Sequence, residues 1–337
     1  MKLLCTCTPQ FEHFLARELA DNGSITDVDS MYNGWLLAGP IKDISNTDLL
    51  CFPRKILFDI KKLPFLSITN SAQSLCDFYS NSIKGTKVDS PWTVYFESLD
   101  SELVSTETIN TLRGQFLSKF KKVVSRIVKL AVTPNHLSTG SHNGLFVFVE
   151  KTTMFVSTQC WSGGQQRMKL VNGAPSRSFL KVEEAFKIMN RHPDQNEIVV
   201  DLGAAPGGWS FAASLHNAKV YAVDNGPLKE GALNNAAIKH FREDAFTFDS
   251  PQNAPVDWLL CDMVEDPSRV VELIRKWMKS GWCKKGIINF KFGHTDPLRV
   301  LALIRSKDGL LPYCKSFTTR HLYHDREEFT VMFECYS

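Results

Sequence analysis

The chain has 337 residues, of which 43% are hydrophobic and 22% charged, with a formal net charge of +3. That composition builds about two or three ordinary domains with buried cores and excludes a disordered or collagen-like chain. With the charge so close to neutral, a nucleic-acid partner would need a local basic patch.

No apolar run reaches the roughly 18 to 20 residues of a membrane span, so no membrane partner is expected. The opening Met1-Lys2-Leu3-Leu4-Cys5 is too short an apolar stretch for a signal peptide. Nine cysteines are scattered without a C-x-x-C pair, so neither a disulfide framework nor a zinc site is indicated. A reducing, cytoplasmic setting is expected, with no metal.

Leu3-Leu4-Cys5-Thr6-Cys7 reads as a strand, and Phe11, Phe14, Leu15 and Leu19 recur at helical spacing. Gly34 to Ala38 reads as another strand. Residues 1–55 therefore predict a small α+β domain, and 56–165 a second one containing strands at 56–60 and 92–96. Leu112, Phe116, Phe120, Val123, Val124 and Ile127 predict a helix over 112–130. It carries Arg113, Lys119, Lys121, Lys122, Arg126 and Lys129, with no acidic residue between Glu107 and Glu150. Either this is a solvated face or it contacts nucleic-acid phosphates; a one-sign face is the less common kind.

Asn172-Gly173-Ala174-Pro175 lies in a linker over 166–177. From residue 178 onward, helical and strand patterns alternate. Helices are predicted at 178–190, 208–216, 266–280 and 297–306, and strands at 197–202, 219–223, 257–261, 286–291, 313–319 and 327–335. The alternation predicts an α/β, doubly wound, mostly parallel sheet whose last strand is antiparallel.

Val199-Val200-Asp201-Leu202-Gly203-Ala204-Ala205-Pro206-Gly207-Gly208-Trp209 carries the strongest functional signal. A buried strand runs into a Gly-rich turn and then a helix, the arrangement that holds a nucleotide-like ligand at the carboxyl end of a sheet. Asp224 closes the next strand, about 20 residues on, where a carboxylate can accept hydrogen bonds from a ribose. Pro206 and the Gly207-Gly208 pair break the G-x-G-x-x-G pattern, which argues against a dinucleotide. The turn suits S-adenosylmethionine (SAM), which has no pyrophosphate to cradle. Asp244 either contacts an adenine amino group or caps a turn. Ser178 either meets the methionine end of the cofactor or caps the next helix.

Four charged residues fall at telling places: Lys181 on the helix before the Gly-rich strand, Asp262 and Lys291 closing two strands, and Glu328 opening the last. Taken singly, they read as ion pairs at a sheet edge. Together beside a cofactor turn, they suit methyl transfer to a ribose hydroxyl, in which a neutral lysine takes the hydroxyl proton. Burial and a neighbouring cation favour a neutral lysine, while Asp262 and Glu328 oppose it. His321 and His324 have weak metal-ligand spacing with no supporting cluster, and Trp277 and Trp282 read as core aromatics.

Residues 174–186, 200–209, 223–227, 261–265, 281–283 and 322–328 resemble, in order, the bacterial 23S rRNA ribose 2'-O-methyltransferase M family, within the FtsJ-like methyltransferases. The resemblance implies a Rossmann-like SAM-dependent domain over 178–337 and a Lys-Asp-Lys-Glu tetrad at Lys181, Asp262, Lys291 and Glu328, with Lys291 as proton acceptor. It also implies SAM contacts at Ser178, Ala205, Pro206, Gly207, Gly208, Asp224, Asp244 and Asp262. The implied substrate is a cytidine of 23S rRNA, free or in a large-subunit precursor.

Cys7 to Glu12 resembles the family's opening more loosely, implying a ferredoxin-like unit over 1–55 and a THUMP-like RNA-binding domain over 56–165. Ala205 stands where the family pattern has cysteine, and Lys291-Phe292-Gly293 departs from a more proline-like continuation. The remaining readings are the same chemistry on a tRNA or cap, a non-catalytic RNA-binding assembly factor, and an NAD-dependent oxidoreductase. The default oligomeric expectation is a monomer.

Overall fold

The computed structural model describes residues 2–39, 47–251 and 254–336. The chain divides into two compact units, Met1–Ser45 with Pro53–Gly164, and Asn46–Phe52 with Gln165–Ser337.

The first unit is built on a mixed sheet. Its strands are β1 (Leu3–Thr6), β2 (Val28–Tyr32), β3 (Trp35–Ala38), β4 (Lys55–Phe58), β5 (Lys61–Pro64), β6 (Trp92–Ser98), β7 (Ala131–Val132), β8 (Gly140–Glu150) and β9 (Thr153–Ser162). They run in the order β2-β3-β1-β4-β9-β8-β6-β7, with β5 also on β9. The break expected at residue 55 is not a break in the sheet. β1 pairs with β4, and β4 pairs with β9, so residues on both sides share one ladder. Helices α1 (Glu12–Asp21), α2 (Ile68–Ser82), α3 (Thr106–Val123) and α4 (Ser125–Val128) complete the unit.

The helix expected over 112–130 is interrupted. At Val124 the backbone leaves the helical region (φ −141°, ψ 67°), and α3 and α4 meet there. Two consecutive β-branched valines and a serine weaken the helix at that point. The apolar periodicity continues across the break because Ile127 and Val128 pack on the same core as Phe116 and Phe120. The indole N–H of Trp92 donates to the Ile127 carbonyl at 2.9 Å, fixing the second piece.

The second unit contains α5 (Phe179–Met189), β10 (Ile198–Leu202), α6 (Gly208–Leu215), β11 (Lys219–Val223), β12 (Ile238–Phe241), β13 (Val256–Cys261), α7 (Pro267–Lys279), β14 (Cys283–Lys291), α8 (Pro297–Arg305), β15 (Cys314–Arg320) and β16 (Glu328–Cys335). The strand order is β12-β11-β10-β13-β14-β16-β15. The first five are parallel, and β16 is antiparallel to both β14 and β15. This is the expected doubly wound, Rossmann-like sheet.

Alternate strand residues Val199, Val220, Trp258, Leu260 and Ile287 pack with α5 and α6, while Val200, Leu202, Leu259 and Cys261 on the opposite face are also buried. Helices α7 and α8 both open on Asp-Pro. Asp266 and Asp296 accept from the amides of Ser268 and Leu298, and proline occupies the first helical position.

Segment 47–52, which the sequence places in the first domain, joins the second unit. The guanidinium of Arg320, which has no exposed surface, donates to the carbonyls of Asp48 (2.9 Å) and Leu50 (2.8 Å). The chain order reverses between β10 and β13, leaving a crevice outside the carboxyl ends of those strands.

Candidate active site

The four charged residues singled out from the sequence converge at that crevice. Asp262 follows the last residue of β13, and Lys291 ends β14. Glu328 opens β16 as the register partner of Lys291. Helix α5 delivers Lys181. Its Nζ lies 3.2 and 3.3 Å from the carboxylate oxygens of Asp262 and 2.9 Å from Glu328 Oε1. Lys291 Nζ donates to Asp262 Oδ1 at 2.5 Å and to the carbonyls of Asp262 and Met263 at 3.1 and 3.2 Å, and lies 3.9 Å from Glu328 Oε2.

The two lysine nitrogens thus share one carboxylate oxygen. Burial alone would hold the Lys181 ammonium below its usual range. The carboxylates of Asp262, Glu328 and Asp325 outweigh it and hold the group above that range, so Lys181 is a fixed cation. The Lys291 side chain is 23% exposed against 10% for Lys181 and Glu328, making it the member most open to an incoming molecule.

The Gly-rich turn is shaped by close approach. A Cβ on Gly208 would lie 2.5 Å from the hydroxyl oxygens of both Ser176 and Ser178. Gly207 has φ +107°, a conformation that disfavours any side chain. The Ala205 amide donates to Asp224 Oδ2 (2.9 Å) and the Gly226 amide to Asp224 Oδ1 (2.7 Å), so the turn and the end of β11 orient this carboxylate. Each oxygen retains acceptor capacity. Pro206 accepts from the Lys229 amide at 3.0 Å. Ser178 stands before α5 without capping it. Its hydroxyl pairs with that of Ser176 at 2.7 Å, so the capping reading is not borne out.

Two hollows flank the tetrad. A cleft of about 500 Å³ is lined by Gly203, Ala205, Asp224, Glu243, Asp244, Asp262, Met263, Glu265 and Phe246, among others, and no lysine or arginine. A hollow of about 260 Å³ is lined by Arg177, Ser178, Leu180, Lys181, His324, Arg326 and Glu328. Asp262 therefore faces the acidic cleft, whereas Lys181 and Glu328 face the basic hollow. Pro206, Gly207 and Gly208 line neither hollow.

Residues 174–289 match the FtsJ-like methyltransferase family. A ribosomal RNA large subunit methyltransferase M from Stenotrophomonas maltophilia is 31% identical, the alignment covering 98% of this chain and 96% of the relative. The chain belongs to that family. The methyltransferase M of Pasteurella multocida is 34% identical over 67% of this chain and 68% of its own, and that of a Shewanella species 42% identical over 50% and 49%.

Several sequence-predicted residues lie apart from the tetrad. Asp244 is exposed at the rim of the acidic cleft and accepts from the Phe246 amide at 2.9 Å. His321 pairs with the Arg326 carbonyl (2.9 Å), and His324 Nε2 accepts from the Met168 amide (2.8 Å). Trp277 is fully buried and meets Trp282 edge-on at 5.6 Å. Arg113, Lys119, Lys121, Lys122, Arg126 and Lys129 belong to the first unit, and none forms an ion pair with a described residue. Lys121, Lys122, Arg126 and Lys129 are exposed. At about 100° per residue, the α3 cations fall on both flanks of the buried stripe rather than on one face.

Two buried carboxylates, Glu184 and Asp201, were not singled out from the sequence. Glu184, one turn beyond Lys181, accepts from the amides of Gln166 (3.1 Å), Tyr323 (2.8 Å) and His324 (3.4 Å) with no exposed surface. Asp201 lies inside β10 and accepts from the Ser210 hydroxyl at 2.6 Å. Burial, with Asp262 and Asp224 adding to it, pushes the Asp201 carboxyl up to about 7.

Between the ordinary carboxylate range near 4 and about 7, the folded chain therefore holds a proton that the unfolded chain has lost. Stability falls across that window as pH rises. Asn at position 201 keeps an acceptor for Ser210 and removes the titration. The stability difference between Asp201→Asn and wild type should shift in the variant's favour from pH 5 to pH 8, by about 2 to 3 kcal/mol. Denaturant titrations at the two pH values check this; a pH-independent difference would rule out Asp201 as the titrating group.

Proposed function

We propose that this chain transfers a methyl group from SAM to the ribose 2'-hydroxyl of a cytidine in 23S rRNA, free or within a large-subunit precursor. The observation that carries the reading is the convergence of Lys181 and Lys291 on one oxygen of Asp262 at the crevice, with Glu328 closing the set.

The acidic cleft suits SAM on its own chemistry. Carboxylates of Asp224, Asp244 and Asp262 offer acceptors for hydroxyl, amino and ammonium groups, and their negative field favours a cationic ligand. Met263 and Phe246 add apolar wall. In this reading Ala205 and Asp224 hold the adenosine part and Ser178 the methionine end, while Pro206, Gly207 and Gly208 shape the turn that presents Ala205. When bound, SAM supplies an electrophilic methyl group on a sulfonium. Lys291 accepts the proton of the ribose hydroxyl, Asp262 orients both amines, and Lys181 with Glu328 keeps the local charge balanced.

The first unit, read as a ferredoxin-like portion joined to a THUMP-like RNA-binding portion, delivers the RNA. The protein is read as a cytoplasmic monomer. Reversing Lys121 and Lys122 to glutamate should weaken RNA binding and lower the salt slope by about two, leaving SAM affinity unchanged. Binding titrations at several salt concentrations measure this. An unaltered slope would remove these two lysines from the RNA footprint.

Methyl transfer from labelled SAM to unmodified 23S rRNA, with the labelled nucleotide mapped, tests the whole reading. A single 2'-O-methylcytidine supports it. A modified tRNA or cap would keep the chemistry and change the substrate. SAM binding without transfer to naked or particle-bound rRNA would favour an assembly factor.

A further inference from the structure

The two hollows beside the tetrad carry opposite charge. In the smaller one, the ion pair of Lys181 with Glu328 at 2.9 Å leaves no net charge from those two. His324 accepts the Met168 amide through Nε2 and so stands as the neutral Nδ1–H tautomer. The uncompensated charge comes from Arg177 and Arg326. Neither guanidinium forms an ion pair or hydrogen bond with a described residue, whereas Arg191 and Arg269 of the same unit have carboxylate partners and Arg320 is held by backbone carbonyls. Both arginines are exposed and line the hollow. Each also lies close in sequence to a tetrad member, Arg177 before α5 and its Lys181, Arg326 before Glu328.

We infer that this hollow is the seat of a backbone phosphodiester adjoining the target ribose, held by Arg177 and Arg326. The inference rests on the proposed RNA 2'-O-methyl transfer. A ribose hydroxyl in an RNA chain arrives with a phosphate on each side, so a site that presents it to Lys291 must also accept an anion within one nucleotide. The acidic cleft repels phosphate and the arginine-lined hollow attracts it, so the phosphate seats in the hollow, beside the methionine end that Ser178 holds. Guanidinium groups bind phosphate oxygens in bidentate fashion and fix register without reading the base. The contact therefore positions the ribose and leaves base choice to other groups.

The same charge could serve a carboxylate, the one SAM itself carries, and the test separates the two. Arg177→Ala, Arg326→Ala and Arg326→Lys are compared with wild type by steady-state transfer to RNA, by calorimetric SAM binding, and by RNA binding at several salt concentrations with S-adenosylhomocysteine present. The expected result is a rise of about tenfold or more in RNA KM for each alanine variant. The salt slope should fall by about one, SAM affinity should be unchanged, and Arg326→Lys should recover part of the loss. A loss of SAM affinity with RNA binding intact would assign the arginines to the cofactor carboxylate and overturn the inference. Wild-type RNA kinetics in both alanine variants would also overturn it, while the transferase reading stood. Absence of transfer by wild type would instead defeat the reading on which it rests.

Discussion

Replacing Lys291 with alanine is expected to abolish methyl transfer, by about a thousandfold or more, while SAM binds nearly as it does to wild type. Proton transfer by a positioned side chain contributes about 10²- to 10⁴-fold, and under the proposed mechanism no other tetrad member can replace this one. Lys181 is a fixed cation, and Asp262 and Glu328 are both engaged with it. The variant should also fold. Asp262 keeps its contact with Lys181, so no buried carboxylate is stranded, and Lys291 is the least buried of the four.

The same cannot be said of Lys181→Ala: Asp262 keeps Lys291, but Glu328 loses its 2.9 Å partner and retains only Lys291 at 3.9 Å in a poorly solvated place. Lys291→Arg sharpens the test. Guanidinium retains the positive charge but does not deprotonate, so a base at this position is lost while an electrostatic anchor survives. Single-turnover transfer and calorimetry on the two variants separate the roles. Inactivity of both with intact SAM binding supports the base. An active Lys291→Arg, or parallel loss of transfer and SAM affinity in Lys291→Ala, would reassign Lys291 to electrostatic or cofactor-holding work.

The tetrad was legible in the sequence because three of its members stand at strand ends and the fourth, Lys181, on the helix before the Gly-rich strand. A strand shows itself by a short apolar run, and the charged residue that ends the run is placed by the chain itself, as with Asp262 after Trp258-Leu259-Leu260-Cys261 and Lys291 after Ile287-Ile288-Asn289-Phe290. The doubly wound class followed from alternation, while the strand order did not. What stayed hidden depends on contacts far apart in sequence. Segment 47–52 leaves the first unit because Arg305, Thr319 and Arg320 take its carbonyls, and nothing local in Thr47-Asp48-Leu49-Leu50-Cys51-Phe52 announces that. The break at Val124 was masked because the apolar spacing continues through it, and periodicity reports the buried face rather than backbone continuity. Asp201 did leave a signal, a carboxylate between apolar strand residues, but its meaning depends on Ser210, Asp224 and Asp262 being near.

Glu184→Ala is expected to cost about 3 kcal/mol or more of stability and to reduce methyl transfer even at saturating RNA. The Glu184 carboxylate has no exposed surface and receives amides from two separate segments, Gln166 on one side and Tyr323 and His324 on the other. Hydrogen bonds to a charged group contribute about 1.5 to 3 kcal/mol each, and donors left buried without an acceptor cost about as much. The loop so held runs through Asp325, which accepts from the Leu322 amide and the Thr330 hydroxyl, to Glu328 at the head of β16.

Helix α5 therefore fixes Lys181 directly and Glu328 through this loop, so a slack loop moves one carboxylate of the tetrad relative to its partner amine. Glu184→Gln separates packing from charge. It can keep the Oε1 acceptor for Gln166 and Tyr323 but turns an amide donor toward the His324 N–H, so its loss should be intermediate. Urea titrations give the stability order, and kcat against KM at a temperature where every variant is folded gives the positioning effect. A kcat that stays at the wild-type value in folded Glu184→Ala would show that the loop holds Glu328 without this anchor.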